Sequence, residues 1–299
     1  MAQLAAWLIA RPQFAILALV ITALARLFAV LGAGVAVLLV LRQPAQVAAL
    51  VIGAAAFILV AAGAFAGVPI VVNVQGLIAL WVPAVLLALL LKKTRSVTLT
   101  LQLSVIAMIV IGTVIVLLIG DTLVVWQSGI DYLIAQADNA GAFEIVEWVQ
   151  ANAALLADWL TVVVITALWL TAVVGLMIGY WLSRKVGGDD WGQICDVDFG
   201  KVVAVLLLVV AVVGMLTGNV WIQAIGAFLL VVFFIQGLMV VHWLLENGLA
   251  PVTAVITMYI ILVLVLWLNL AQYVFAAMAV VGYIEAWLRY RRRVITKAE

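Results

Sequence analysis

The residues of this 299-residue chain that could do chemistry are polar side chains within long apolar stretches. In a lipid bilayer a polar group is costly unless it is paired, hydrogen-bonded or exposed to a cavity, so such residues are candidates for a binding site. We select Arg26, Asn73, Gln75, Gln236, His242, Asn269 and Gln272 as candidate ligand-binding residues, and Gln102, Asn219 and Gln223 belong to the same polar set. Asn269 and Gln272 share one helix face by their spacing, so with Arg26 they are the preferred cavity residues. The alternative is that these side chains only form hydrogen bonds between helices.

The sequence carries no motif of an enzyme. There is no GxSxG, HExxH or P-loop pattern, and the chain has one histidine, His242, and one cysteine, Cys195. A zinc site or a bis-His haem site needs more ligands than these. His242 and Glu246, four residues apart, are the only nearby titratable pair for an intramembrane reaction. We therefore expect a non-enzymatic protein with no cofactor and no bound metal.

The composition is that of an integral membrane protein. Hydrophobic residues make up 70% of the chain and charged residues 9%, with a mean hydropathy of +1.40. Soluble domains have about 45–50% apolar and about 25% charged residues. The net charge of +1 gives no sign of the concentrated basic surface that a nucleic-acid-binding protein needs. From the apolar composition, membrane lipids are the expected surroundings.

Uncharged stretches of bilayer-spanning length fill most of the chain, since a span needs roughly 20 apolar residues. They predict an all-α polytopic protein of about eight to ten helical segments in a single transmembrane domain over residues 1–299. The clearest spans are 45–66, 69–91, 97–119, 158–182, 202–217, 220–243, 251–268 and 270–288.

The N-terminal apolar stretch 13–41 allows two interpretations. One straight helix would bury Arg26 deep in the bilayer, whereas two short helices broken near Arg26 would bring it to an interface or a cavity. An unpaired arginine at membrane depth costs roughly 2.5–3.5 kcal/mol, so the broken form is favoured.

The signs of the charges predict the orientation. Basic residues cluster in two connections and at the C-terminus, and the positive-inside rule places all three clusters in the cytoplasm: Lys92, Lys93 and Arg95; Arg184 and Lys185; Arg289, Arg291, Arg292, Arg293 and Lys297. The stretch 120–158 has six carboxylates and no lysine or arginine, so it belongs outside. The C-terminus is then cytoplasmic, and the broken form of residues 13–41 makes the N-terminus cytoplasmic as well.

We predict the location and the kind of structure of three segments that lie outside the spans. Residues 121–157 form an extracytoplasmic amphipathic connection, because Trp126, Ile130, Leu133 and Ile134 recur at helical spacing and a second apolar set follows at Phe143, Val146, Ala154 and Leu155. Residues 183–200 form a cytoplasmic loop, of which the acidic stretch 187–200 is either solvated or a partner-binding site. Residues 289–299 form a basic cytoplasmic tail.

Small residues at every fourth position predict close helix packing, because they let two backbones approach in lipid. The residues concerned are Ala25, Ala29, Ala33, Gly63, Gly67, Gly175, Gly179, Gly214 and Gly218. The partner helix in each case belongs either to this chain or to another one.

The last third of the chain resembles a known family. The runs FFIQGLMVVHWLLENGL (233–249) and APVTAVITMYIILVLVLWLNLAQYVFAAMAVVGYIEAWLRYRRR (250–293), with the connection around Gly187, Gly188 and Phe199, look like the YybS-like family of bacterial inner-membrane proteins, in particular its proteobacterial branch. The family is one of unknown function. The resemblance is specific over residues 233–293 and loose elsewhere.

The resemblance implies a bacterial cytoplasmic-membrane location and a distant similarity to the substrate-binding S-components of energy-coupling-factor transporters. In S-components a small-residue stripe on the first helix meets the energising module, and the matching positions here are Ala25, Ala29 and Ala33. About ten predicted segments, where S-components have six, and the amphipathic insertion depart from that pattern. This departure argues against coupling to a transporter ATPase.

Two functional hypotheses follow. The first is a transporter-like component that binds a small solute or a lipid in a membrane cavity. The second is an accessory or scaffold subunit that assembles through its membrane helices, through 121–157 or through 187–200.

Overall fold

The computed structural model describes residues 2–25, 28–248, 257–258, 260 and 271–291, with the backbone alone for 246–248. Within these residues the chain forms twelve α-helices and no strand, which confirms the predicted all-α class. In chain order they are α1 (Ala2–Ala10), α2 (Pro12–Leu24), α3 (Ala29–Arg42), α4 (Ala45–Phe65), α5 (Ile70–Thr94), α6 (Val97–Ile119), α7 (Thr122–Asn139), α8 (Phe143–Ala151), α9 (Ala153–Lys185), α10 (Gly200–Thr217), α11 (Val220–Gly248) and α12 (Ala271–Leu288).

Seven of these helices are long and apolar enough to cross a membrane, and they match seven of the predicted spans. They are α4, α5, α6, α9, α10, α11 and α12. The predicted span 251–268 lies outside the described residues, apart from isolated positions. Helix α9 has 33 residues and is about 50 Å long, so it must extend beyond a hydrocarbon core of about 30 Å.

The N-terminal stretch is broken, as the cost of burying Arg26 predicted. Helix α2 ends at Leu24 and α3 begins at Ala29, although Arg26 itself lies outside the described residues. An additional short helix, α1, precedes them and meets α2 at an angle of 111°. Pro12 stands at the first position of α2, where the backbone N–H that proline lacks would have no partner within the helix.

The described chain divides into two compact units. The first comprises Met1–Leu101 and Ala167–Gln193, and the second comprises Gln102–Thr166 and Ile194–Glu299. Helix α3 is the most enclosed element of the first unit, since all residues from Gly32 to Leu41 are buried.

In the second unit, α10 and α11 form an antiparallel hairpin. Gly218 has a φ of +64°, which a glycine adopts without strain, and it ends α10 just before α11 begins. Helix α12 crosses α11 at two glycines, because a Cβ on Gly237 would collide with the Met278 carbonyl and one on Gly282 with the Phe233 carbonyl. The α12 C-terminus lies beside the α10 N-terminus, where Arg289 Nε is 3.7 Å from Asp198 Oδ2.

Segment 121–157 contains two helices, α7 and α8, separated by a turn at Gly141. Asp121 caps α7 by accepting a 2.9 Å hydrogen bond from the Leu123 amide. A small core of Ile130, Val149 and Ala157 joins α7, α8 and the start of α9. Leu133, Phe143 and Leu155 of the same apolar sets are exposed, as apolar residues on the face of an interfacial helix are. The pattern predicted the two helices correctly.

Candidate functional site

A polar cavity lies in the second unit, where the N-termini of α7, α9 and α11 converge. Its volume is about 270 Å³, and its lining is half polar: Val116, Thr122, Asp158, Thr161, Asn219, Val220, Trp221 and Ala224. Among the lining residues that the structure describes, Asp158 alone is ionisable, and its carboxylate is half-buried. We call this cavity the Asp158 pocket.

Each polar side chain of the Asp158 pocket is held in place by a hydrogen bond. The Thr122 hydroxyl donates to Asp158 Oδ1 at 2.5 Å, and the Thr161 hydroxyl donates to the Ala157 carbonyl at 3.0 Å. Asn219 Oδ1 caps α11 by accepting from the Ile222 amide at 3.1 Å. Both threonine protons are therefore directed to partners within the protein.

Two tryptophans stiffen the wall of the Asp158 pocket. Trp126 Nε1 donates to Thr161 Oγ1 at 2.8 Å, and Trp221 Nε1 donates to Thr113 Oγ1 at 3.2 Å. A Cβ at Gly112 would lie 3.4 Å from the Trp221 ring, so this glycine leaves room for the indole. The pocket is consequently built before any solute arrives.

The charge of Asp158 is uncompensated within the described part of the chain. Its interactions there comprise the Thr122 hydrogen bond and no ion pair, since the described ion pairs involve Asp190, Asp198 and Glu285. A carboxylate that is partly withdrawn from water and lacks a basic partner favours a positively charged or hydrogen-bond-donating guest.

A second polar cluster lies at the opposite end of α10, about 27 Å away along an 18-residue helix. Asp198, which is buried, accepts from the Gly200 amide at 2.8 Å through Oδ1, and its carbonyl accepts from Gln102 Nε2 at 2.7 Å. Gln236 is fully enclosed and accepts from the Phe199 amide at 3.1 Å. These contacts fix the start of α10 against α6 and α11.

The same cluster contains a buried ion pair. Arg291 Nε lies 3.1 Å from Glu285 Oε1, and the two residues are 4% and 6% exposed. The Arg291 guanidinium also donates to the carbonyls of Val197, at 2.8 Å, and of Cys195. The chain after α12 is therefore fastened to the loop before α10. We call the residues of this and the preceding paragraph the Asp198–Glu285 cluster.

None of the described ligand-binding candidates chosen from sequence lines the Asp158 pocket. Gln236 is fully buried and Gln272 is exposed in the second unit, whereas Asn73 and Gln75 belong to the first unit. Arg26 and Asn269 lie outside the described residues. Asn73 packs against Gly63 and Gln75 is exposed. His242 is half-buried and has an interaction partner, while the Glu246 side chain lies outside the described part.

The small residues divide into helix contacts and turns. Gly175 of α9 would place a Cβ 2.7 Å from the Ala33 side chain, and Gly179 lies against Gly34 of α3, so these residues do pack. Gly214 contacts Gln223 across the hairpin. Other small residues do not mark close helix packing. Gly67 and Gly218 have positive φ at helix ends and open space within 4 Å of the position that a Cβ would take, Ala25 ends α2, and Ala29 begins α3 half-exposed.

Part of segment 183–200 and Arg291, the last described residue of segment 289–299, are buried rather than solvated. Val197, Asp198 and Phe199, at the end of the acidic stretch 187–200, are buried. Arg291 is buried as well, whereas residues 292–299 lie outside the described part. Arg291 is buried because its guanidinium donates hydrogen bonds to the Val197 and Cys195 carbonyls of the other segment. The Asp198 carboxylate instead accepts from the Gly200 amide of its own segment and from Gln236 of α11.

Sequence reasoning missed Asp158 as a site residue, together with Thr122, Thr161 and Trp221. Threonine hydroxyls do not interrupt an apolar pattern, so they gave no signal. Asp158 did give a signal in the sequence. It is a carboxylate at the first position of a predicted span, and the stretch before it has no lysine or arginine that could neutralise it.

Two further cavities are apolar. One of about 640 Å³ lies among α10, α11 and α12, and one of about 350 Å³ lies between α4 and α5. Their linings are almost entirely apolar, so neither offers the polar groups that the Asp158 pocket has. Comparison of the chain with protein-family models, with characterised proteins and with solved structures finds no match. The resemblance of residues 233–293 to the YybS-like family stays a prediction.

Proposed function

We propose that this multi-pass membrane protein is a transporter-like component of the bacterial cytoplasmic membrane, non-enzymatic, that binds a small polar solute in the Asp158 pocket. The observation that carries the proposal is a carboxylate without a basic partner among the described residues, in a preformed polar cavity at the end of apolar helices. Ionisable groups so placed in membrane proteins mark solute and ion pathways.

The orientation of the proposal follows from charge. The six carboxylates of 120–158 lie outside and the basic clusters lie in the cytoplasm, so the Asp158 pocket opens to the outside. Helix α9 supports this placement. If Arg184 marks the cytoplasmic interface, Asp158 lies about 39 Å away along the helix, beyond a hydrocarbon core of about 30 Å.

The direction of the helices in the second unit also supports the proposed orientation. The end of α12 lies beside the start of α10, as Arg289 and Asp198 show. Neighbouring helix ends lie on the same side of the membrane, so an even number of crossings separates them. A cytoplasmic C-terminus requires this, because the loop before α10 is cytoplasmic in the proposed orientation.

The test is purification from native membranes into lipid nanodiscs, followed by mass spectrometry of the released small molecules. Wild-type protein should carry a solute that Asp158→Asn loses. Asp131→Asn is the matched control, because it removes the same charge from the same segment at an exposed position outside the pocket. A solute that is retained by Asp158→Asn, or the absence of any solute specific to the wild type, would overturn the proposal.

A second function, that of an accessory subunit, is favoured by one observation. Helices α7 and α8 expose Val124, Tyr132, Phe143 and Trp148 by 56–73%, although they are not among the candidate spans. Such a surface fits a membrane interface or a partner protein. This function predicts a complex in mild detergent that survives Asp158→Asn and is lost when Tyr132 and Trp148 are both changed to serine. A protein that stays monomeric in native nanodiscs would contradict it.

A further inference from the structure

We infer that the Asp158 pocket selects small organic ammonium ions. This inference rests on the proposed function, because it names the class of solute that the pocket would take. It goes further by specifying the charge, the size and the partner groups of the guest.

The lining of the pocket sets the charge of the guest. Asp158 Oδ1 already accepts from Thr122, whereas Oδ2 has no partner among the described residues. An ammonium group supplies both the positive charge and the N–H donors that this oxygen lacks, and a charge-assisted hydrogen bond is about twice as strong as a neutral one. An anion would meet the carboxylate directly and would find no basic residue among the described lining residues.

The indole of Trp221 adds a second attraction for the same class of guest. Trp221 lines the pocket next to Asn219 and is held by its Thr113 hydrogen bond. Aromatic rings attract ammonium ions through their negative faces, most strongly in the case of tryptophan. A carboxylate and an indole in one small cavity therefore favour an organic ammonium ion over a hydrated metal ion.

The surrounding charge acts in the same direction. Six carboxylates and no lysine or arginine occur between residues 120 and 158. A surface with one sign of charge raises the local concentration of the opposite ion and accelerates its association. This steering weakens with added salt, because exposed charges are screened over about 8 Å at physiological ionic strength.

The size of the pocket restricts the guest. A volume of about 270 Å³ is just below the usual range for ligand pockets, about 300–1,000 Å³. Amines with a few heavy atoms fit, and the threonine and asparagine oxygens suit a guest that also carries a hydroxyl group.

The experiment compares three probes of nearly equal size that differ in charge. Ethanolamine is a cation at neutral pH, ethylene glycol is neutral and glycolate is an anion. Binding of each radiolabelled probe to the wild-type protein in nanodiscs is measured by scintillation proximity. We expect saturable binding of ethanolamine at millimolar or lower concentration, weaker binding of ethylene glycol and none of glycolate. Equal binding of the three probes, stronger binding of glycolate, or no binding of ethanolamine would overturn the inference.

The variants locate the site. Asp158→Asn should weaken ethanolamine binding roughly tenfold or more, as expected for the loss of a hydrogen bond to a charged group. Trp221→Leu should weaken it by a smaller factor, and Asp131→Asn should leave it within roughly twofold of the wild type. Unchanged binding in Asp158→Asn would overturn the inference. The probe series needs no variant, so it stays decisive if a variant fails to fold.

The two proposals fail in different ways. If mass spectrometry finds a neutral or anionic solute that Asp158→Asn loses, the proposed function stands and the ammonium class is wrong. If no solute depends on Asp158 and ethanolamine does not bind, both are wrong.

Discussion

Replacing Arg291 by methionine should destabilise the second unit by about 3 kcal/mol. The change keeps much of the apolar side chain and removes a guanidinium that holds Glu285 and the carbonyls of Val197 and Cys195. Removing one partner of a buried ion pair typically costs about 3–5 kcal/mol, because the other charge stays buried. We expect the lower end of this range, since Glu285 keeps 3.0 Å and 3.2 Å hydrogen bonds from the backbone amides of residues 290 and 291.

The free energy of unfolding is measured by steric trapping in bicelles, with Arg289→Met as the control. Arg289 is 46% exposed and lies 3.7 Å from Asp198, whose carboxylate keeps its hydrogen bond from the Gly200 amide, so the loss of Arg289 should cost only about 1 kcal/mol. Adding Glu285→Gln to Arg291→Met removes the buried carboxylate that Arg291→Met leaves without its basic partner. The double variant should therefore be more stable than the sum of the single effects predicts, by about 1 kcal/mol. Equal effects of Arg291→Met and Arg289→Met, or strict additivity in the double variant, would refute the reasoning.

Two further predictions concern packing and topology. Gly282→Ala should lower the melting temperature and reduce the free energy of unfolding by about 1–3 kcal/mol, because its new Cβ would collide with the Phe233 carbonyl. The control Gly226→Ala should be nearly neutral, since its Cβ would make only an ordinary 3.6 Å contact. A neutral Gly282→Ala would show that α11 and α12 pack differently. A cysteine in place of Gln3, in a Cys195→Ser background, should resist an impermeant maleimide applied to cells and react after lysis; labelling of intact cells would place the N-terminus outside.

Hydropathy predicted the helices closely, because backbone hydrogen bonds in lipid must be satisfied within each segment. The break between α2 and α3 was predictable for the same kind of reason, namely the cost of burying Arg26. The helix contacts at Gly175 and Gly179 followed from residue size alone. These features depend on local composition, which a single sequence contains.

The candidate site was not predictable in the same way. The Asp158 pocket joins residues 122, 158 and 219, and the Asp198–Glu285 cluster joins 102, 198 and 285. Such distant residues meet through tertiary packing, of which one sequence carries no direct signal. Likewise, Gly237 and Gly282 lie in no GxxxG pair, yet they form the α11–α12 crossing. Arg291 belongs to a run of tail charges in the sequence, and nothing in that run marks it as a buried residue.

Solute access to the Asp158 pocket is most directly measured with reactive probes. Asn219→Cys, in a Cys195→Ser background, places a thiol in the pocket lining, and its modification rate is compared for impermeant cationic and anionic methanethiosulfonates applied to intact spheroplasts. We predict modification from outside, several-fold faster with the cationic reagent, and near-equal rates for the two reagents once Asp158→Asn is added. A thiol that does not react from outside, or that reacts at equal rates with both reagents while Asp158 is present, would contradict an external pocket whose carboxylate selects cations.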